Sequence, residues 1–172
     1  MCSIVVLLSL GLYAAVDSAT PPACQPEAKD QVAWEMAKAI AKDRFYVFQS
    51  TVSGSSNCIH MEFNQTDEMN HTGTFLVGNG EKTVATIVIA EGNQFVMVGA
   101  EESSCPVLYT DNSTCGVVAS PDEEEIVLLV ANRTALTASF DTCCKEIFER
   151  EAKRKPNPET YRQFSENCLG SS

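Results

Sequence analysis

Residues 125–150 read EIVLLVANRTALTASFDTCCKEIFER, and a change of period inside them decides the fold. In Glu125–Ala131, Ile126, Leu128 and Val130 lie on one face and Val127, Leu129 and Ala131 on the other. A strand with water on one side alternates apolar with polar residues, so a strand apolar on both faces needs cover on its outer side. From Asp141 the pattern turns helical. Phe140, Cys144, Ile147 and Phe148 share one stripe, and Lys145, Glu149 and Arg150 lie opposite. That helix is the nearest cover for the strand. Between the two, Asn132-Arg133 is a turn cluster and Thr134–Phe140 reads as one more short strand. Lys155-Pro156-Asn157-Pro158 stops the helix, and the tail returns to a cysteine at Cys168.

Working back from Glu125, β-branched and aromatic runs recur about every ten residues: Arg44–Val52, Thr72–Val77, Lys82–Ala90, Gln94–Gly99, Pro106–Thr110 and Cys115–Ala119. Gly-Asn-Gly at 78–80, Glu-Gly-Asn at 91–93 and Asp-Asn-Ser at 111–113 separate them as turns. Cys58–Asn64 is a weaker run-in to the second strand. Ahead of all these, Pro26–Ala41 is helical, with Val32, Met36 and Ile40 on one stripe and Pro26-Glu27 suited to a helix start. Trp34, the lone tryptophan, sits off that stripe and reads as a packing residue. The expectation is an all-β chain: an eight-stranded antiparallel barrel with a short N-terminal helix and a C-terminal α-helix. This is the element order of a lipocalin, and eight strands enclose just enough room for one small ligand.

The chain has 172 residues, room for one domain and a processing segment. Ile4–Val16 is a short apolar run followed by small residues and Thr20-Pro21-Pro22, the pattern of a secretory signal peptide. The expected division is a signal peptide over 1–19 and a single domain over 20–172, secreted to the extracellular space. No later apolar run has transmembrane length, so no membrane partner is expected. Twenty-three acids against twelve bases give a formal charge of −11, the opposite of a nucleic-acid binder. Four N-x-[ST] sequons, at Asn64, Asn70, Asn112 and Asn132, are candidate glycosylation sites on surface turns.

Eight cysteines in so short a chain point to an oxidising compartment. Cys2 leaves with the signal. The remaining seven are Cys24, Cys58, Cys105, Cys115, Cys143, Cys144 and Cys168, so one is free or paired between chains. Adjacent residues on a helix diverge by about 100°, so Cys143 and Cys144 must bond to different elements. No C-x2-C pair is present and His60 and His71 lie far from any cysteine cluster, so no metal site is expected. Nor is there a G-x-S-x-G, HExxH or P-loop motif, or any nucleophile, base and orienting group in one place. The chain is expected not to be an enzyme and to need no cofactor.

Several pieces together resemble the soft-tick salivary lipocalins, a group of moubatin-like eicosanoid binders, biogenic-amine-binding proteins and a complement inhibitor. They are Ala33-Trp34, Gln49-Ser50-Thr51 followed by Cys58, VLYTDNSTCGVV at 107–118, Cys143-Cys144 opening a helix, and the final Cys168. The resemblance spans about Cys24 to Cys168. It implies the bridges Cys24–Cys143, Cys58–Cys168 and Cys115–Cys144, with Cys105 as an extra cysteine. In the amine-binding members, a Cys-Asp motif and a downstream Glu-[Leu/Val/Met]-Trp supply two acids for the ligand ammonium and a ring cover. Here the matching stretches are Cys115-Gly116-Val117 and Glu125-Ile126-Val127, so one acid and the aromatic cover are gone.

What is left for a barrel interior is apolar with few polar anchors. Phe45, Phe75, Phe95, Met97 and Tyr109, with Gln49 and Glu125 as polar partners, are the candidate ligand-binding residues. Val84, Ile87, Ile89 and Leu128 are further candidates, and Arg44, Lys82 and Arg133 are alternative anchors. Strand parity without register leaves these assignments open. The function so implied is a secreted salivary scavenger, a monomer, that sequesters a small host mediator. A lipid such as a leukotriene or thromboxane is the first choice and histamine or serotonin the second. A third possibility is an inhibitor of complement or platelets that binds a host plasma protein through the loops at 53–57, 111–114 and 120–124.

Overall fold

Phe45–Ser50 (β1) both opens the barrel and closes it. In the computed structural model, which describes residues 24–53, 58–79, 82–99 and 103–169, β1 pairs antiparallel with the next strand, His60–Asp67 (β2), and with the last barrel strand, Ile126–Ala131 (β8). Between them run Thr72–Gly78 (β3), Thr83–Glu91 (β4), Gln94–Val98 (β5), Ser103–Thr110 (β6) and Cys115–Ala119 (β7), each antiparallel to its neighbour. A two-residue strand, Tyr161–Arg162 (β9), adds to the free end of β1 at Gln49 and Ser50. The result is the expected eight-stranded antiparallel barrel with flanking helices. The signal segment expected over 1–19 lies outside the described residues.

Two expectations change places. Thr134–Phe140 is not a strand: the chain turns into a short helix, Asn132–Ala135 (α2), and then a loop. The physical reason is closure. The backbone N–H of Asn132 donates to the carbonyl of Arg44, at the start of β1, so β8 already has β1 as its partner and offers no edge for another strand. Thr134 turns its hydroxyl back to the Ala131 carbonyl at 3.1 Å, a local bond that competes with strand pairing. The missing strand is β2. It is hard to see in the sequence because only Phe63 of its eight residues is buried.

The sheet has a core on each face. Inside the barrel, Phe45, Val47, Phe63, Phe75, Val88, Phe95, Val107, Leu129 and Ala131 pack with the helix Ala33–Lys42 (α1). Ala33, Trp34, Met36, Ala37, Ala39 and Ile40 of α1 are buried. The helix lies across the end where β1 begins and β8 ends, and Ala33 N–H donates to Gly92 O in the β4–β5 turn at 2.9 Å. On the outer face Tyr46, Phe48, Tyr109, Val117, Leu128 and Val130 pack under the helix Thr142–Lys153 (α3) through Ile147 and Phe148. That helix is the cover which the doubly apolar β8 requires.

Adjacent cysteines at the start of α3 bond in two directions, Cys143 to Cys24 and Cys144 to Cys115 on β7. Cys58 bonds to Cys168 and ties the tail to the β1–β2 connection. These are the pairings that the resemblance implies, and Cys105 is a free thiol. Asp141 caps α3 by accepting from Cys143 N–H at 2.7 Å.

Candidate functional site

The register fixes which side chains point inward. Phe45 pairs with Ala131 and Met61, Phe63 with Phe75, Val88 with Gly73 and Phe95 with Cys105. Paired residues share a face, so these line the interior. They stop short of filling it. A cavity of about 110 Å³ remains, lined by Met61, Phe75, Val77, Thr86, Val88, Phe95, Met97, Cys105, Val118 and Leu129. Thr86 and Cys105 are the polar side chains among these ten, and no charged group reaches it. Phe63, Phe75 and Phe95 form a run of tilted and edge-on ring contacts with centroids 4.8 and 4.9 Å apart, which stiffens one wall.

α1 closes the lower end of this space. Gly116 of β7 faces inward beneath it, and Met36 occupies the notch: a Cβ on Gly116 would lie 2.5 Å from Met36 Cε. The opposite end is the rim, formed by the connections after β1, β3, β5 and β7. Glu125 sits there. It shares the inward parity of Val127, and its Oε1 accepts from the buried Ser50 hydroxyl at 2.5 Å. Ser50 itself is paired with Val127.

Of the seven candidate ligand residues, Phe75, Phe95 and Met97 line the cavity. Phe45 faces inward but is sealed into the core near the α1 end, and Glu125 stands at the rim. The other two do not face the interior. A bulge between Val47 and Gln49 leaves Phe48 as the extra residue and turns Gln49 outward, opposite Leu128. A second bulge between Val107 and Tyr109 turns Tyr109 outward, opposite Val117 and under α3. Burial there, with the charges of Asp141, Asp30 and Asp111 adding to it, pushes the Tyr109 phenol up to about 12. Leu128 packs under α3, while Ile87 and Ile89 face outward from β4, where Ile87 is exposed.

Two of the three alternative anchors are paired outside the cavity, and the third, Lys82, is exposed in the β3–β4 connection at the rim. Arg44 pairs with Glu62 at 2.6 Å and Arg133 with Asp43 at 3.3 Å. Met61, Val77, Val88, Cys105, Val118 and Leu129 line the cavity but are absent from the sequence-based set. Their signal was present as alternation along each strand, without the register to say which half faces in. Burial, with the charge of Asp122 adding to it, raises the Cys105 thiol above its ordinary value.

The positions matching the amine-binding motif lie far apart. Gly116 pairs with Leu129, four residues along β8 from Glu125, a span of about 13 Å at strand rise. Met36 fills the first position, so the pair cannot meet one ammonium. His60 packs edge-on against Tyr46 outside the barrel, and His71 stacks on Trp34 at 4.9 Å. Among the described residues, no group of three or more His, Cys, Asp or Glu could hold a metal ion. All four sequon asparagines are exposed.

No protein-family model matches the chain. Among solved structures, it is similar to AM182 in its serotonin complex, with a TM-score of 0.68 and 19% sequence identity over 84% of this chain and 97% of that one. It is also similar to apocrustacyanin C2, with a TM-score of 0.45 and 10% identity over 79% of this chain and 88% of that one.

Proposed function

We propose that this lipocalin-fold protein is a secreted scavenger that takes up one small, largely apolar ligand in its barrel and acts by stoichiometric sequestration. The observation that carries this is the cavity lining, which is apolar apart from one hydroxyl and one thiol and holds no charge. An ammonium there would be buried without a partner, at a cost of several kcal/mol, whereas an acyl chain loses nothing. The ligand class is therefore a lipid mediator of the leukotriene or thromboxane kind, with its polar head at the rim. Ligand sites for drug-sized molecules commonly exceed about 300 Å³, so Met61 and Met97 must move to enlarge the 110 Å³ space. Their unbranched thioethers suit that. Three disulfides support an extracellular setting, and no helix among the described residues is long and apolar enough to cross a membrane.

A second reading, a biogenic amine, is favoured by the Glu125 carboxylate at the rim and by the serotonin complex of the similar structure. Calorimetry on the secreted protein separates the two. Leukotriene B4 and a thromboxane analogue should bind with submicromolar Kd, and histamine and serotonin should bind at least a hundredfold more weakly. Tight amine binding that Glu125→Gln abolishes, with no lipid bound, would reverse the order.

A further inference from the structure

We propose a second binding site, outside the barrel, for a short organic carboxylate with an aromatic or branched apolar body. Between β1, β9 and the start of α3 lies a pocket of about 230 Å³, lined by Phe48, Gln49, Ala138, Phe140, Thr142, Lys145 and Arg162. The bulge that turns Gln49 out of the barrel delivers its amide here, directly across from Arg162 in the β1–β9 pairing.

Arg162 is held in place. Its guanidinium carbon lies 4.3 Å above the Phe48 ring centroid, and its Nε donates to Phe164 O at 3.0 Å. Those contacts use one face and one edge and leave the terminal nitrogens, the fork that matches a carboxylate with two parallel bonds. Arg162 has no ion-pair partner among the described residues, although the chain carries a surplus of acids. Lys145, the second cation, meets Glu149 only at 3.9 Å. The N-terminal turn of the twelve-residue α3 reaches the pocket through Thr142 but is already capped by the Asp141 carboxylate, so the two cations carry the preference for an anion.

The floor sets the rest of the ligand. Phe48 and Phe140 meet edge to face with centroids 5.3 Å apart, and Ala138 completes an apolar surface beside the charges. Inorganic anions use the cations but not this floor. A carboxylate carrying a ring or branched chain uses both, with its charge between Arg162 and Lys145 and the Gln49 amide as a further donor.

Titration of phenylacetate, hexanoate and sulfate into isotope-labelled, disulfide-intact protein, followed by NMR, tests this. Phenylacetate should saturate, with shifts centred on Gln49, Thr142, Lys145 and Arg162, and sulfate should bind at least tenfold more weakly. Arg162→Gln should weaken phenylacetate at least tenfold. Arg162→Lys, which keeps the charge and loses the fork, should recover only part of that. Binding of leukotriene B4 should be unchanged in both variants. The proposal is overturned if phenylacetate fails to saturate, if its shifts fall on Phe75 and Phe95, if sulfate binds as tightly, or if Arg162→Gln binds phenylacetate like the parent.

Discussion

Single residues decide how tightly the barrel is closed, and two glycines show it. A Cβ on Gly73 would lie 2.3 Å from the Phe63 ring, which is wedged between Phe75 and Trp34. The closest contacts of a Cβ on Gly116 are Met36 Cε and Sδ, the far end of a flexible thioether, with the Tyr109 carbonyl oxygen at an ordinary 3.4 Å. Overpacking typically costs about 1–3 kcal/mol. Gly73→Ala should fall at the upper end and Gly116→Ala at or below the lower, which urea unfolding of the two variants would measure. The Tyr109 phenol gives a pH signature. Its ionisation is held up to about 12 in the folded state, against an ordinary value near 10. Burial of the neutral phenol is therefore fully stabilising below pH 10, and that stabilisation is lost between pH 10 and 12 as the unfolded chain ionises first. Thermal unfolding should show Tm dropping through that window, and the drop should shrink in Tyr109→Phe.

At the scale of elements, α3 is bolted to the barrel through neighbouring residues that bond in divergent directions. Removing the Cys24–Cys143 bridge by double serine substitution should cost about 2–5 kcal/mol, while Ile147 and Phe148 keep the helix docked. Far-UV circular dichroism should then be native-like with a lowered urea midpoint. This part of the fold was legible because β8 is apolar on both faces and Cys143-Cys144 opens a helical stripe. Strand β2 was legible only in its first half, where Ile59, Met61 and Phe63 alternate with His60, Glu62 and Asn64, whereas Gln65–Asp67 is polar throughout. Thr134–Phe140 misled because β-propensity says nothing about whether an edge is free. The site was legible only in part. Phe75, Phe95 and Met97 were within reach of sequence, but the bulges after Val47 and Val107 reverse the facing of Gln49 and Tyr109. A one-residue bulge shifts the phase of alternation, but Phe45–Phe48 and Val107–Tyr109 are unbroken apolar runs in which such a shift does not show.

For the molecule as a whole, one sheet serves two cores, so the outer packing under α3 can stay fixed while the inner cavity changes its contents. With α1 packed across one end, the proposed ligand enters and leaves by the rim. Met36, fully buried and seated against Gly116, then sets the floor. A longer guest gains no depth unless that side chain gives way. In a homologous series of straight-chain acids, affinity should rise with each methylene and then level off at one length, the surplus hanging in water. Met36→Ala should move that break to a longer chain, and displacement of a fluorescent fatty acid would locate both breakpoints.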